Sequence, residues 1–149
     1  MNIDELREEI KRDEGSVNSV YLDHLNLPTT GIGHLITEQD EEYGKPVGTE
    51  VSNDRVNELF ATDIEVTISE CKELFDNFDN LPEEVQKICA NMMFNMGRPR
   101  LSKFKMFRAA LMKKDWSECA VQMEDSRWHK QVTNRANRLI SRMRAVEGT

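Results

Sequence analysis

The apolar positions of this chain change period twice. Ile3, Leu6 and Ile10 recur every three or four residues, which makes one side of a short helix over residues 2–11 apolar. The Asp13-Glu14-Gly15 turn that follows is where a glycine can close a helix end. Across residues 17–36 the pattern becomes β-branched and aromatic, with Val17, Val20, Tyr21, Thr29, Thr30, Ile32 and Ile36 broken by Asn26, Pro28, Gly31 and Gly33. That predicts a small antiparallel sheet. Thr37 ahead of Glu38, Gln39 and Asp40 reads as a capped helical turn, and residues 43–51, with Gly44, Pro46 and Gly48, read as loop.

Helical spacing then returns and holds to the end. No Gly or Pro interrupts residues 52–79, where Val56, Leu59, Phe60, Ile64, Thr67, Ile68, Cys71, Leu74, Phe75 and Phe78 recur at three and four. A helix of that length would run roughly 40 Å, longer than a domain of this size needs to cross its own core. It is therefore expected to connect (52–80) a small β-containing lobe (13–51) to a helical lobe (81–149) packed with helix 1–12, leaving a cleft between the lobes. Pro82 suits a helix start, and further helices are expected over 82–96, ending at Gly97, then 104–113, 115–123, 126–130 and 133–146, with a turn at 98–100. The fold class is α+β, mostly helical, in a single domain of two lobes.

Composition narrows the classes. With 149 residues, 38% hydrophobic and 32% charged, the chain suits a soluble globular protein. No apolar run approaches the roughly 18–20 residues of a membrane span, and the first residues are charged where a signal peptide would be apolar. Neither stable membrane insertion nor an export signal is expected. Cys71, Cys89 and Cys119 are odd in number and lack metal-ligand spacing, which predicts free buried thiols from a reducing compartment. The net charge of -7 is uneven: residues 101–149 hold 11 basic and 5 acidic residues, a local +6 against -13 for the rest. A basic face can meet a nucleic acid or an anionic cell wall. It can equally be a set of solvated helix faces.

Two carboxylates carry the candidate chemistry. Glu14 ends the first helix and Asp23 follows the first strand, with enough extended chain between them to face each other. Glycoside cleavage needs such a pair, one acid protonated to donate to the leaving oxygen and the other ionised to orient water, attack, or stabilise an oxocarbenium-like transition state. Among 27 acidic residues the pair alone says little. The surrounding string says more: Asp13-Glu14-Gly15, then Tyr21-Leu22-Asp23, then Thr29-Thr30-Gly31-Ile32-Gly33-His34-Leu35.

This string resembles the lysozymes (endolysins) of T-even bacteriophages, glycoside hydrolase family 24, at every interval. The resemblance resumes at Asn91-Met92-Met93-Phe94-Asn95-Met96-Gly97, at Trp116, and at Ser126-Arg127-Trp128 followed by Gln131 and Asn134-Arg135-Ala136. It implies that Glu14 is the general acid, Asp23 the second carboxylate, activating water in preference to direct attack, and Thr29 a hydroxyl that helps hold that water. Inversion then requires carboxyls roughly 6.5–9.5 Å apart. The resemblance also implies sugar contacts at Leu35 and Phe94 and an arginine, Arg135, that influences the acid. On residue chemistry alone, Thr29 is as readily a strand residue, Phe94 a core aromatic and Arg135 a surface cation. Gly31 and Gly33 permit close approach or a tight turn, and His34, lacking a second ligand, is expected to brace Asp23 or the sheet.

Some positions depart from the family. Asn26 stands where the family carries glycine, and asparagine is the residue that best replaces it in left-handed backbone. Phe107 and Gln122 occupy positions that are polar cleft residues in the T-even enzyme. The acidic balance predicts weaker non-specific adsorption to cell wall and stronger salt sensitivity.

The implied substrate is peptidoglycan, cut between N-acetylmuramic acid and N-acetylglucosamine by a monomer without metal or nucleotide cofactor. No nucleic-acid partner is expected. Such an enzyme would accumulate in the host cytoplasm and reach the wall through a separate membrane-permeabilising protein. Three rivals remain: a helical nucleic-acid-binding protein using residues 103–144, a wall-binding protein that does not cut, and a cleavage without water that leaves an anhydro sugar.

Overall fold

The protein, seen in a computed structural model that describes residues 1–146, opens with α1 (Ile3–Glu14). Leu6 and Ile10 are fully buried, whereas Ile3 at the first turn is exposed. The helix ends at Glu14, at the turn where the sequence places its end, and the Gly15 N–H donates to the Lys11 carbonyl at 2.8 Å.

Three antiparallel strands follow, β1 (Val17–Leu22), β2 (Pro28–Gly31) and β3 (His34–Leu35), in the order β1-β2-β3. Tyr21 pairs with Thr29 and Leu22 with Pro28, while Thr29 also pairs with Leu35 and Thr30 with His34. The stretch expected as loop is more ordered than its Gly and Pro imply. Val20 N–H donates to Thr49 O, Gly48 N–H to Val20 O and Val51 N–H to Asn18 O, and Ser19 bridges to Glu50. Backbone groups on the outer edge of β1 need partners, and residues 48–51 supply them. The turn at Thr37 forms as expected, with Asp40 N–H donating to Thr37 O and Thr37 N–H to Asp40 Oδ2.

Helix α2 spans Asn53–Leu74, about 33 Å at 1.5 Å per residue, and is shorter than the expected 52–79. It stops ahead of Asp76-Asn77, residues whose side chains compete with the helical backbone, and Asn77 Nδ2 donates instead to Leu111 O. A single 3-10 turn, Phe78–Asn80, then buries Phe78. The remaining helices are α3 (Glu83–Met96), α4 (Arg98–Leu101), α5 (Lys105–Met112), α6 (Trp116–Glu124), α7 (Arg127–Gln131) and α8 (Thr133–Arg144). Two carry side-chain caps: Asp115 accepts from Glu118 N–H and Ser126 from His129 N–H. The expected turn at 98–100 is a short helix, α4. The last residues of the expected helical lobe, 147–149, lie outside the described residues.

The chain divides into two compact units, one of residues 7–66 and one of residues 1–6 with the chain from Thr67 onward, so that the division falls inside α1 and α2. In the helical unit α6 packs on α5 and α8, and α8 also meets α3 and α7. Phe107, at a position polar in the T-even enzyme, is 1% exposed there and meets Phe75 and Phe104 edge-on at 6.3 Å. In the sheet unit Glu42 is buried and paired in two-pronged fashion with Arg55, at 2.9 and 3.1 Å. No helix among the described residues is long and apolar enough to cross a membrane.

Candidate active site

The site is built on the sheet unit. Glu14 ends α1, and its carboxyl lies against the β2–β3 turn at Gly33. A Cβ added there would stand 2.4 Å from Glu14 Oε1, 2.8 Å from Cδ and 3.1 Å from Cγ. Gly33 has φ +61°, where a side chain is disfavoured in any case. The glycine therefore does two things, turning the chain and leaving room for the acid. Gly31 meets a different neighbour, since a Cβ there would touch Val56 Cγ1 of α2 at 3.2 Å.

Asp23 sits at the opposite end of the sheet, in the β1–β2 turn. Asp23 N–H donates to Leu27 O at 3.0 Å and Asn26 N–H to Asp23 O at 2.9 Å, with Asn26 at φ +61°, the left-handed geometry that asparagine tolerates. One carboxylate oxygen, Oδ1, accepts from Leu25 N–H at 2.8 Å and from Leu27 N–H at 2.9 Å. Such bonds orient a carboxylate and leave it a single working oxygen. Among the described residues none donates to Oδ2.

Thr29 lies between the two ends and is buried. Its hydroxyl donates to Leu27 O at 2.8 Å, so the proton is committed and the oxygen presents lone pairs. Cross-strand partners share a face, which puts Tyr21, Thr29 and Leu35 in one row across the sheet. Leu35 is half exposed. The Tyr21 phenol is pushed above its usual range, first by burial and then by the negative charges of Glu14 and Asp23. It therefore stands within electrostatic reach of both acids.

His34 belongs to the other face, paired with Thr30. Its Nδ1 meets Asp63 of α2 at 2.7 Å and its Nε2 meets Asp40 at 2.8 Å. Of the two expected roles it takes the second, tying the sheet to α2 and to the Thr37 turn, with no ring nitrogen left for Asp23. Burial alone would lower its pKa, but hydrogen bonds and charge from Asp63 and Asp40 outweigh that and raise it to about 8.

Phe94 and Arg135 belong to the helical unit. Phe94 is half-buried on α3, although Met92 and Met93 beside it are buried. Arg135 is buried, and its Nε donates to Asn91 Oδ1 at 2.9 Å. Sequence reasoning gave no site role to Tyr21, Asp40 or Asp63. Tyr21 was accessible, because on a strand it shares a face with the residue two further on. Asp63 carries no local signal in an acidic helix.

A helix-end carboxylate, a second one held by a turn with one oxygen left over, and a hydroxyl row between them, on an α+β chain, are the equipment of a lysozyme-type glycosidase. Comparison with known proteins makes the class specific. Residues 11–147 match the family described as phage lysozyme, and the chain belongs to that family. The "Probable T4-type lysozyme 2" of Dictyostelium discoideum is 32% identical, with 93% of each chain covered, and "Probable T4-type lysozyme 1" of the same organism is 30% identical at the same coverage. The "Pre-baseplate central spike protein Gp5" of Enterobacteria phage T4 is 27% identical over 90% of this chain and 26% of its own length.

Proposed function

We propose that this enzyme hydrolyses the β-1,4 bond between N-acetylmuramic acid and N-acetylglucosamine in peptidoglycan, with inversion at the anomeric carbon. Glu14 gives its proton to the glycosidic oxygen as the C1–O bond breaks. A water attacks C1 from the opposite face and passes a proton to Asp23 Oδ2, while its second hydrogen is held by Thr29 Oγ1. The observation that carries this reading is the pair of committed groups. Asp23 Oδ1 is occupied by two backbone N–H groups and the Thr29 proton by Leu27 O, so one carboxylate oxygen and the hydroxyl oxygen's lone pairs remain as acceptors for a single water. Leu35 serves as an apolar surface for a sugar ring, as the resemblance implies. The biological outcome is lysis of a bacterial host, with access to the wall provided by a membrane-permeabilising partner.

Clearing of purified cell wall by wild type, Glu14→Gln and Asp23→Asn tests the assignment. Each variant is expected to lose about 10²–10⁴-fold in rate while folding normally. Proton NMR of the fresh product should show the α-anomer, and its mass should include one added water. An anhydro sugar, or full activity in Glu14→Gln, overturns the mechanism.

A further inference from the structure

The row that crosses the sheet holds a group to which the proposed mechanism gives no task. Tyr21 is half-buried, and among the described residues none hydrogen-bonds to its hydroxyl. It pairs with Thr29, which pairs with Leu35, so the phenol shares a face with the hydroxyl that would hold the water and with an exposed apolar contact. One end of that face is the turn holding Asp23, two residues beyond Tyr21. The other end is the β2–β3 turn, where Gly33 makes room for the Glu14 carboxyl. A half-buried phenol near these acids remains a neutral donor, because burial first and nearby negative charge second oppose its ionisation. The charges that meet it from the packed elements are Glu14 from α1 and Asp23 from the end of β1; β2 and β3 present Thr29 and Leu35.

We propose that Tyr21 is a positioning residue of the active site, its hydroxyl donating into the space between Glu14 and Asp23 so that the ionised carboxylate and the attacking water are held in line. The inference rests on Glu14 and Asp23 being the reacting pair. Removing a donor that steadies the ionised form of the site moves the acidic limb of the pH–rate profile upward. Packing by the ring would leave that limb in place.

The test uses Tyr21→Phe, which keeps the ring and deletes the donor, alongside Tyr21→Leu and Glu14→Gln, each assayed on purified peptidoglycan from pH 4 to 9. Tyr21→Phe is expected to fold like wild type, to lose about 10-fold in kcat with KM little changed, and to shift its acidic limb up by about half a unit or more. Tyr21→Leu should lose more and show the same shift. A Tyr21→Phe enzyme with wild-type kcat and an unmoved limb overturns the inference. If that happens while Glu14→Gln is inactive, only the role of Tyr21 falls. If Glu14→Gln stays active, the reading of the site itself falls.

Discussion

Gly33→Ala isolates the geometry on which Glu14 depends. Two costs enter together. Alanine at φ +61° carries a left-handed penalty of about 1–2 kcal/mol. The second cost is steric, since the new Cβ would lie 2.4 Å from Glu14 Oε1 and 2.8 Å from Cδ. Ordinary contact begins near 3.4 Å, so the carboxyl must retreat by about 1 Å, and a misplacement of that size costs about 10²-fold in rate. Gly44 is the matching control: its φ is +79°, but a Cβ there meets nothing within 4 Å. Gly44→Ala therefore carries the strain without the collision. Both variants should lose about 1–2 kcal/mol in urea unfolding, yet only Gly33→Ala should lose activity, measured as initial clearing rate per folded molecule. If Gly33→Ala works within threefold of Gly44→Ala, Glu14 is not held where its chemistry requires, and the reasoning fails.

Three further outcomes follow from buried charge and burial. His34 has a folded pKa raised from 6.5 to about 8, so its contribution is complete below the unfolded value and is lost as pH rises through about 8. That amounts to about 2 kcal/mol; urea melts should show wild type weakening from pH 6 to 9 relative to His34→Gln, and parallel curves would refute it. Arg55 holds the buried Glu42 carboxyl below the usual range, chiefly by hydrogen bonding. Arg55→Met should cost about 3–5 kcal/mol at pH 7 and less at pH 4, where Glu42 can take up a proton; an equal loss at both would refute it. The thiols of Cys71 and Cys119 are each pushed up to about 12 by burial, and Cys89 is raised as well, so a thiol reagent should modify none of the three quickly in the native protein and all three in urea.

The local grammar of this chain is legible in its sequence. Periodic apolar residues mark the helices, Asp115 and Ser126 cap two of them, and Asn26 takes the left-handed turn expected of it. Glu14, Asp23 and Thr29 are each set by a nearby helix end, turn or strand, and their place in the family's string is what marks them as a candidate site. Where neighbours in space are distant in sequence, the pattern is silent. Only the tertiary fold brings Gly33 against Glu14, joins His34 to both Asp40 and Asp63, and pairs residues 48–51 with the edge of β1. Periodicity alone would also carry α2 past Leu74, where Asp76-Asn77 and the Asn77 bond to Leu111 O end it. The three cysteines make the same point. They lie far apart in the chain, yet the fold buries all three thiols within one compact unit. Period and capping depend on residues three or four apart. Contacts such as these depend on where whole elements come to rest, a matter of summed packing that no single spacing encodes.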